Sequence, residues 1–172
     1  LGHHAVLSLS YEDSVKPTLD QLQEHLGLDA AELKKFVLGH PPVLGYVPAH
    51  VFTKLGLQQR CMDMTDEELR AAVIAQPAVM GYGYIEEKWA LMTSDFAEEE
   101  GNRKMQALRS LGPRGFGAGL ETRLKPRLAA LKEALGSAPK ASEWFRGLVY
   151  DSNVQWTERL NSASGSAASR SE

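Results

Sequence analysis

Eight basic side chains stand between Arg103 and Lys132: Arg103, Lys104, Arg109, Arg114, Arg123, Lys125, Arg127 and Lys132. A single acid, Glu121, opposes them. Clustered Lys and Arg neutralise phosphates and release condensed counterions, which is the chemistry of polyanion binding. Arg123 and Arg127 are one helical turn apart, Lys125 and Lys132 are seven apart on a neighbouring stripe, and Arg109 and Arg114 flank the preceding turn. Arg109, Arg114, Arg123, Lys125, Arg127 and Lys132 are therefore the candidate nucleic-acid-binding residues, spaced to face one groove of a duplex. The competing reading is a solvated face that pairs with the acidic half of a neighbouring repeat. Charge is segregated along the whole chain. Residues 1–100 carry 16 acids and 7 bases, whereas residues 101–172 carry 6 acids and 12 bases, so the net charge of −3 hides an acidic start and a basic end.

Other chemistry-bearing residues offer less. His3 and His4 have no cysteine or carboxylate at ligand spacing, so no metal is expected there. His25 falls at the end of a helical pattern, where an imidazolium suits the dipole. His40 precedes a proline and reads as structural. Cys61 has Arg60 beside it, which could lower a thiol pKa, but no histidine stands in a local catalytic signature, so a buried or idle thiol is the better reading. The glycine-rich GFGAG (115–119) follows no strand and lacks the Lys-Ser/Thr of a phosphate loop, so it reads as a linker. Tyr46, Tyr82 and Tyr84 could stack on bases, yet recurrence at one repeat position argues for contact between neighbouring repeats. No enzyme activity and no cofactor are expected.

What positions these residues is a repeat. DAAELKKFVLGHPPVLGY (29–46) and TDEELRAAVIAQPAVMGY (65–82) agree at seven of 18 positions: Glu32/Glu68, Leu33/Leu69, Val37/Val73, Pro41/Pro77, Val43/Val79, Gly45/Gly81 and Tyr46/Tyr82. A third step of 36 residues lands on Pro113 and Gly117 in GPRGFGAG, and a backward step lands on HAVLSLSY. Independently, VKPTLDQLQEHLG (15–27) matches LKPRLAALKEALG (124–136) at seven of 13 positions, three periods plus one residue away.

Each period reads as two helices. Val15, Leu19, Leu22 and Leu26 form one apolar stripe, and Leu124, Leu128, Leu131 and Leu135 reproduce it. Pro17 and Pro126 suit a first helical turn, and Gly27 and Gly136 suit a left-handed C-terminal residue. Asp29 with Glu32, and Thr65 with Glu68, spell capping boxes. The second helix then stops before Pro41 or Pro77. Val43-Leu44 plugs the seam between helix pairs, Gly45 and Gly81 permit a tight turn, and Tyr46 and Tyr82 lie against the next unit. Thr53 and Trp89 stand where a proline would recur, and the acidic run Glu98–Glu100 is expected to open a helix.

The expected fold is all-α: a solenoid of ~36-residue helical pairs. It covers residues 1–136 in about three and a half copies, entered mid-repeat as a segment of a longer array. A capping helix over 137–161 holds Trp144, Phe145, Leu148, Val149 and Trp156, and a low-complexity tail over 162–172 is expected to be disordered. No apolar run approaches the ~20 residues of a membrane span. One cysteine precludes an internal disulfide.

The motifs HPPVLGY, LSYEDSVKPTLDQLQEHLGLDAAELKKFV and GLETRLKPRLAALKEALG, in this order, resemble the mitochondrial transcription termination factor (mTERF) family over roughly residues 5–136. The resemblance implies a right-handed superhelix of helical pairs, each with a short extra turn near the proline. It implies an organellar protein, mitochondrial or plastid, that binds double-stranded DNA or structured RNA in gene expression. Residues 103–132 would then meet duplex DNA or rRNA. The alternative is a scaffold subunit, with protein partners, in a large organellar assembly such as a ribosome.

Overall fold

The computed structural model describes residues 10–99 and 102–168. Among them every regular element is helical, so the all-α class is observed. The helices are α1 (Lys16–Leu26), α2 (Ala30–Gly39), α3 (Pro48–Met62), α4 (Asp66–Ala75), α5 (Ile85–Ser94), α6 (Arg103–Ser110), α7 (Lys125–Leu135), α8 (Ala141–Tyr150) and α9 (Asn153–Ala168). Two compact units result, Leu1–Gly83 with α1–α4 and Tyr84–Glu172 with α5–α9. The division falls inside residues 1–136, the span expected to form one array. No helix among the described residues is long and apolar enough to cross a membrane.

In the first unit the 36-residue repeat is a repeat of backbone geometry. Both capping boxes close: Asp29 and Thr65 accept from the backbone N–H of Glu32 and Glu68, whose carboxylates reach back to the cap N–H. The residues before the prolines, His40 and Gln76, share one non-helical conformation at φ −144° and −146°, because proline disfavours the helical region for its predecessor. Pro41–Gly45 and Pro77–Gly81 then form matching 3₁₀ turns. Val43 and Val79 are fully buried in a core with Leu22, Phe36, Leu55 and Val73. The residue before each proline also clips the tyrosine six places on. His40 Nε2 lies 3.0 Å from the Tyr46 hydroxyl, and Gln76 Nε2 donates to the Tyr82 hydroxyl at 2.7 Å.

The role expected for Gly45 and Gly81 needs correction. Neither has positive φ, so neither is required for a tight turn. A side chain at Gly45 would meet nothing within 4 Å, whereas a Cβ at Gly81 would lie 2.8 Å from the Tyr46 hydroxyl. Gly81 is thus small because the preceding repeat's tyrosine rests on it. That contact places Tyr46 on the next copy, as the repeat pattern suggested. The ring is stiff and its hydroxyl is held by His40, so it cannot swing aside freely. Gly81→Ala is expected to cost about 1 kcal/mol. Gly45→Ala should stay within about 0.5 kcal/mol of the parent. Urea denaturation of the two variants checks this, and equal midpoints would refute it.

The 109-residue correspondence holds to a few degrees where the two helices begin. Ser10 and Gly119 precede π-helical turns, Tyr11–Val15 and Leu120–Leu124, with φ/ψ of −67°/130° and −65°/129°. Lys16 and Lys125 each donate back five residues, to the carbonyls of Tyr11 and Leu120. Pro17 and Pro126 sit in the first turns of α1 and α7, as expected, but helical backbone begins one turn earlier. Proline donates no N–H and clashes with the carbonyl four residues before it, and one widened turn ahead of it is the solution in both copies. Gly27 and Gly136 close the helices at φ +59° and +64°. The third proline motif keeps its 3₁₀ turn, Gly112–Gly117, with Phe116 fully buried. Of the backward copy, residues 4–9 lie outside the described residues.

The second unit departs from expectation in three places. Glu98 and Glu99 do not open a helix, since α6 begins only at Arg103; Glu100 lies outside the described residues. Glu98 pairs with Lys104 at 2.6 Å. Glu99 accepts from the backbone N–H of Ser142 at 3.1 Å and from its hydroxyl. It thereby caps α8, whose own N-cap residue Lys140 makes no side-chain capping bond, so the acidic run meets a helix dipole, but a different one. Next, residues 137–161 hold two helices: α8 ends at Tyr150 and α9 starts at Asn153, with Asp151 and Ser152 between them. Finally, α9 continues to Ala168, through residues 162–168 of the stretch expected to be disordered; its small residues are compatible with helix once Trp156 anchors the preceding turns.

The Glu99 cap has a pH signature. Burial pushes its carboxyl up, but the bonds from Ser142 and Ala141 and the Lys140 charge outweigh this and hold it below the usual value of 4.5. A folded-state pKa below the unfolded one stabilises above the unfolded value, and the gain is lost as pH falls through the folded value. Glu99→Gln should cost about 1 kcal/mol at neutral pH and should flatten the loss of stability below pH 4.5. Melting curves across an acid series read both effects.

Candidate nucleic-acid interface

The six predicted basic residues do not share one exposed face. Arg127, on the first turn of α7, is 6% exposed. One guanidinium nitrogen donates to the carbonyls of Gly147 and Leu148, each at 3.2 Å, and another to Asn153 Oδ1 at 3.0 Å. The group also lies 5.2 Å from the centre of the Trp156 ring. Arg123, one turn earlier, donates to the carbonyl of Val149 at 3.0 Å. Gly147, Leu148 and Val149 belong to the last turn of α8; the Gly147 carbonyl also accepts from the Asp151 N–H, but the last carbonyls of a helix lack partners within it. The two arginines therefore cap α8 and fasten α9, in place of facing a duplex. Burial, then the neighbouring Arg123 charge, depress the Arg127 pKa, with Asp151 opposing, yet arginine stays cationic in proteins.

The periodicity does place Arg127 inward. Leu124, Arg127, Leu128 and Leu131 fall at i, i+3, i+4 and i+7, and all four are buried. The equivalent residue of the first copy, Thr18, is buried too, its hydroxyl donating to the Ser14 carbonyl. That shared position was the available signal.

Lys132 pairs with Asp95 at 2.6 Å, and Lys125 pairs with Glu121 one turn away on the same helical face. An exposed i,i+4 pair is worth only about 0.3–0.5 kcal/mol, so phosphate competes with Glu121 for Lys125 at little cost. Arg109 and Arg114 are exposed. Lys104, by contrast, is buried, with its ammonium on the Phe96 carbonyl and Glu98. In the same unit Lys88 is buried against the Phe116 carbonyl at 2.7 Å, and burial lowers its pKa while Glu87 opposes. The repeat residues Pro41, Pro77, Pro113, Tyr46 and Tyr82 serve the turns described above, whereas Gly81 makes room for Tyr46 and Gly45 has no such role. Tyr84 alone of the three tyrosines considered is largely exposed, at 68%.

A capping device not anticipated from the sequence recurs in the first unit. Arg70 of α4 donates to the carbonyls of Leu26 and Gly27 at the end of α1 and pairs with Glu32. His25 stacks on Phe52, ring centres 3.9 Å apart. Cys61 is half-buried in α3. His3 and His4 lie outside the described residues, and among the described residues no three His, Cys, Asp or Glu side chains converge on a point.

No protein-family model matches the chain, and no curated protein or solved structure matches it.

Proposed function

We propose that this chain is a non-catalytic helical-repeat protein that binds nucleic acid, duplex DNA or structured RNA, in organellar gene expression. The observation that carries this reading is segregated charge. The basic end keeps Arg103 and Arg114 exposed, even though Lys104, Arg123, Arg127 and Lys132 bond within the protein. Phosphate backbones reward such clusters irrespective of sequence. The organellar setting, mitochondrial matrix or plastid stroma, and the right-handed superhelix rest on the resemblance to the mTERF family alone.

A second reading, a structural subunit of a large organellar assembly such as a ribosome, is supported by the internal use of Arg123, Arg127 and Lys132. Side chains that hold helices together leave less cation for a ligand. Binding to labelled duplex DNA and to structured RNA over a salt series tests the first reading. Steep weakening with salt is expected, and negligible binding at low salt rules it out. Co-sedimentation with organellar ribosomes at salt that abolishes duplex binding would favour the scaffold.

A further inference from the structure

A cleft of roughly 460 Å³ opens between α6 and α8 in the second unit. Arg103, Gln106 and Ser110 line it from one face of α6, and Ser142, Phe145 and Arg146 from one face of α8. Among the described residues, no acidic side chain lines it. Arg103 and Arg146 are both exposed, and neither has a hydrogen-bond, ion-pair or ring partner among the described residues. This sets them apart from Arg123, Arg127 and Lys132, whose cationic heads are occupied.

Arg103 is also poorly placed for its own helix. It is the first residue of α6, whose cap residue Asn102 makes no side-chain bond. A cation there opposes the helix dipole, which favours negative charge at that end. Helix stability therefore gives no reason for an arginine, whereas an anion in the cleft would meet both the guanidinium and the dipole. Ser142 cannot serve the anion, since its amide and hydroxyl are held by Glu99. Among the described residues, the free donors are the two guanidinium groups and the Gln106 amide.

The cleft suits phosphate better than a protein. Protein interfaces rely on apolar anchors in desolvated pockets, and here the one aromatic lining residue, Phe145, is 1% exposed. Nucleic-acid interfaces are polar and positively charged, and arginine's planar fork matches phosphate oxygens in pairs.

We propose that the α6–α8 cleft binds phosphodiester groups of a nucleic acid through Arg103 and Arg146. The inference rests on the nucleic-acid reading above and adds the site, one that differs from the helical stripe of Arg123 and Arg127. The test is fluorescence anisotropy of a labelled DNA duplex and a matched RNA hairpin, with the full chain, over a salt series. Arg103→Gln/Arg146→Gln is compared with Lys16→Gln/Lys34→Gln, which removes the same charge from exposed positions of the first unit. Losing two phosphate contacts should reduce the slope of log K against log salt by about two, with unchanged melting, and the control pair should leave the slope intact. If the parent binds and both pairs bind alike, the site is wrong and the functional reading survives. If the parent does not bind, both fall. Competition by polyglutamate as strong as by duplex, charge for charge, would overturn the assignment to phosphate.

Discussion

Arg127→Met is expected to destabilise the second unit by about 3 kcal/mol, because hydrogen bonds to a charged group contribute roughly 1.5–3 kcal/mol and their loss strands buried acceptors. The Leu148 carbonyl loses its donor, the Gly147 carbonyl keeps only the Asp151 N–H, and Asn153 loses its link to α7. The Trp156 ring also loses a cation 5.2 Å from its centre, a contact worth about 1 kcal/mol or more when desolvated. For a unit of this size the melting transition should drop by roughly 12–24 °C. Methionine keeps most of the buried volume, so the loss reports the polar contacts. Lys125→Gln, which removes one exposed pair, should change stability by less than about 0.5 kcal/mol. Circular dichroism melts separate the two. If Arg127→Met melted like the parent but bound duplex more weakly, Arg127 would be an interface residue and the capping role would be wrong.

Phe145→Ala should cost about 4 kcal/mol, within the range for removing a buried phenylalanine. The ring is 1% exposed and meets Phe96 edge-on, with centres 5.8 Å apart and planes at 87°. That geometry adds ~1 kcal/mol beyond burial. Phe145→Leu retains most of the apolar volume and should lose less than half as much. Urea midpoints give the comparison, and similar losses would show that the Phe96 contact contributes little. Phe145 also forms one wall of the α6–α8 cleft, so the alanine variant should weaken duplex binding even where it is still folded. Arg103→Gln/Arg146→Gln should instead weaken binding without changing the midpoint.

Much of the local structure was legible because it is written in short-range chemistry. The Asp29 and Thr65 capping boxes and the left-handed Gly27 and Gly136 each depend on residues within a few positions of one another. The matching 3₁₀ turns at Pro41 and Pro77 do too. The π-helical turns before Pro17 and Pro126 are not legible, although both copies carry them, because proline forbids a normal helix turn without naming its replacement. The helix that Glu99 serves is not legible either, since sequence shows a charge next to a helix but not which helix; its partner Ser142 is 43 residues away. The basic stripe presents the same difficulty. Counting charges treats Arg114 and Arg127 alike, yet the first is exposed and the second lies on a buried face.

The sequence by itself determined the all-α class, the 36-residue period, the ends of several helices and the drift from acidic to basic charge. All follow from local propensity, periodicity and composition, which need no knowledge of what lies opposite. Only the tertiary structure decided which cations are spent and which remain. Arg70, Arg123 and Arg127 turn inward because helix ends leave carbonyls unpaired, and an arginine can satisfy them only when another helix brings it within reach. Arg103 and Arg146, 43 places apart in the chain, come to line one cleft because α6 and α8 meet.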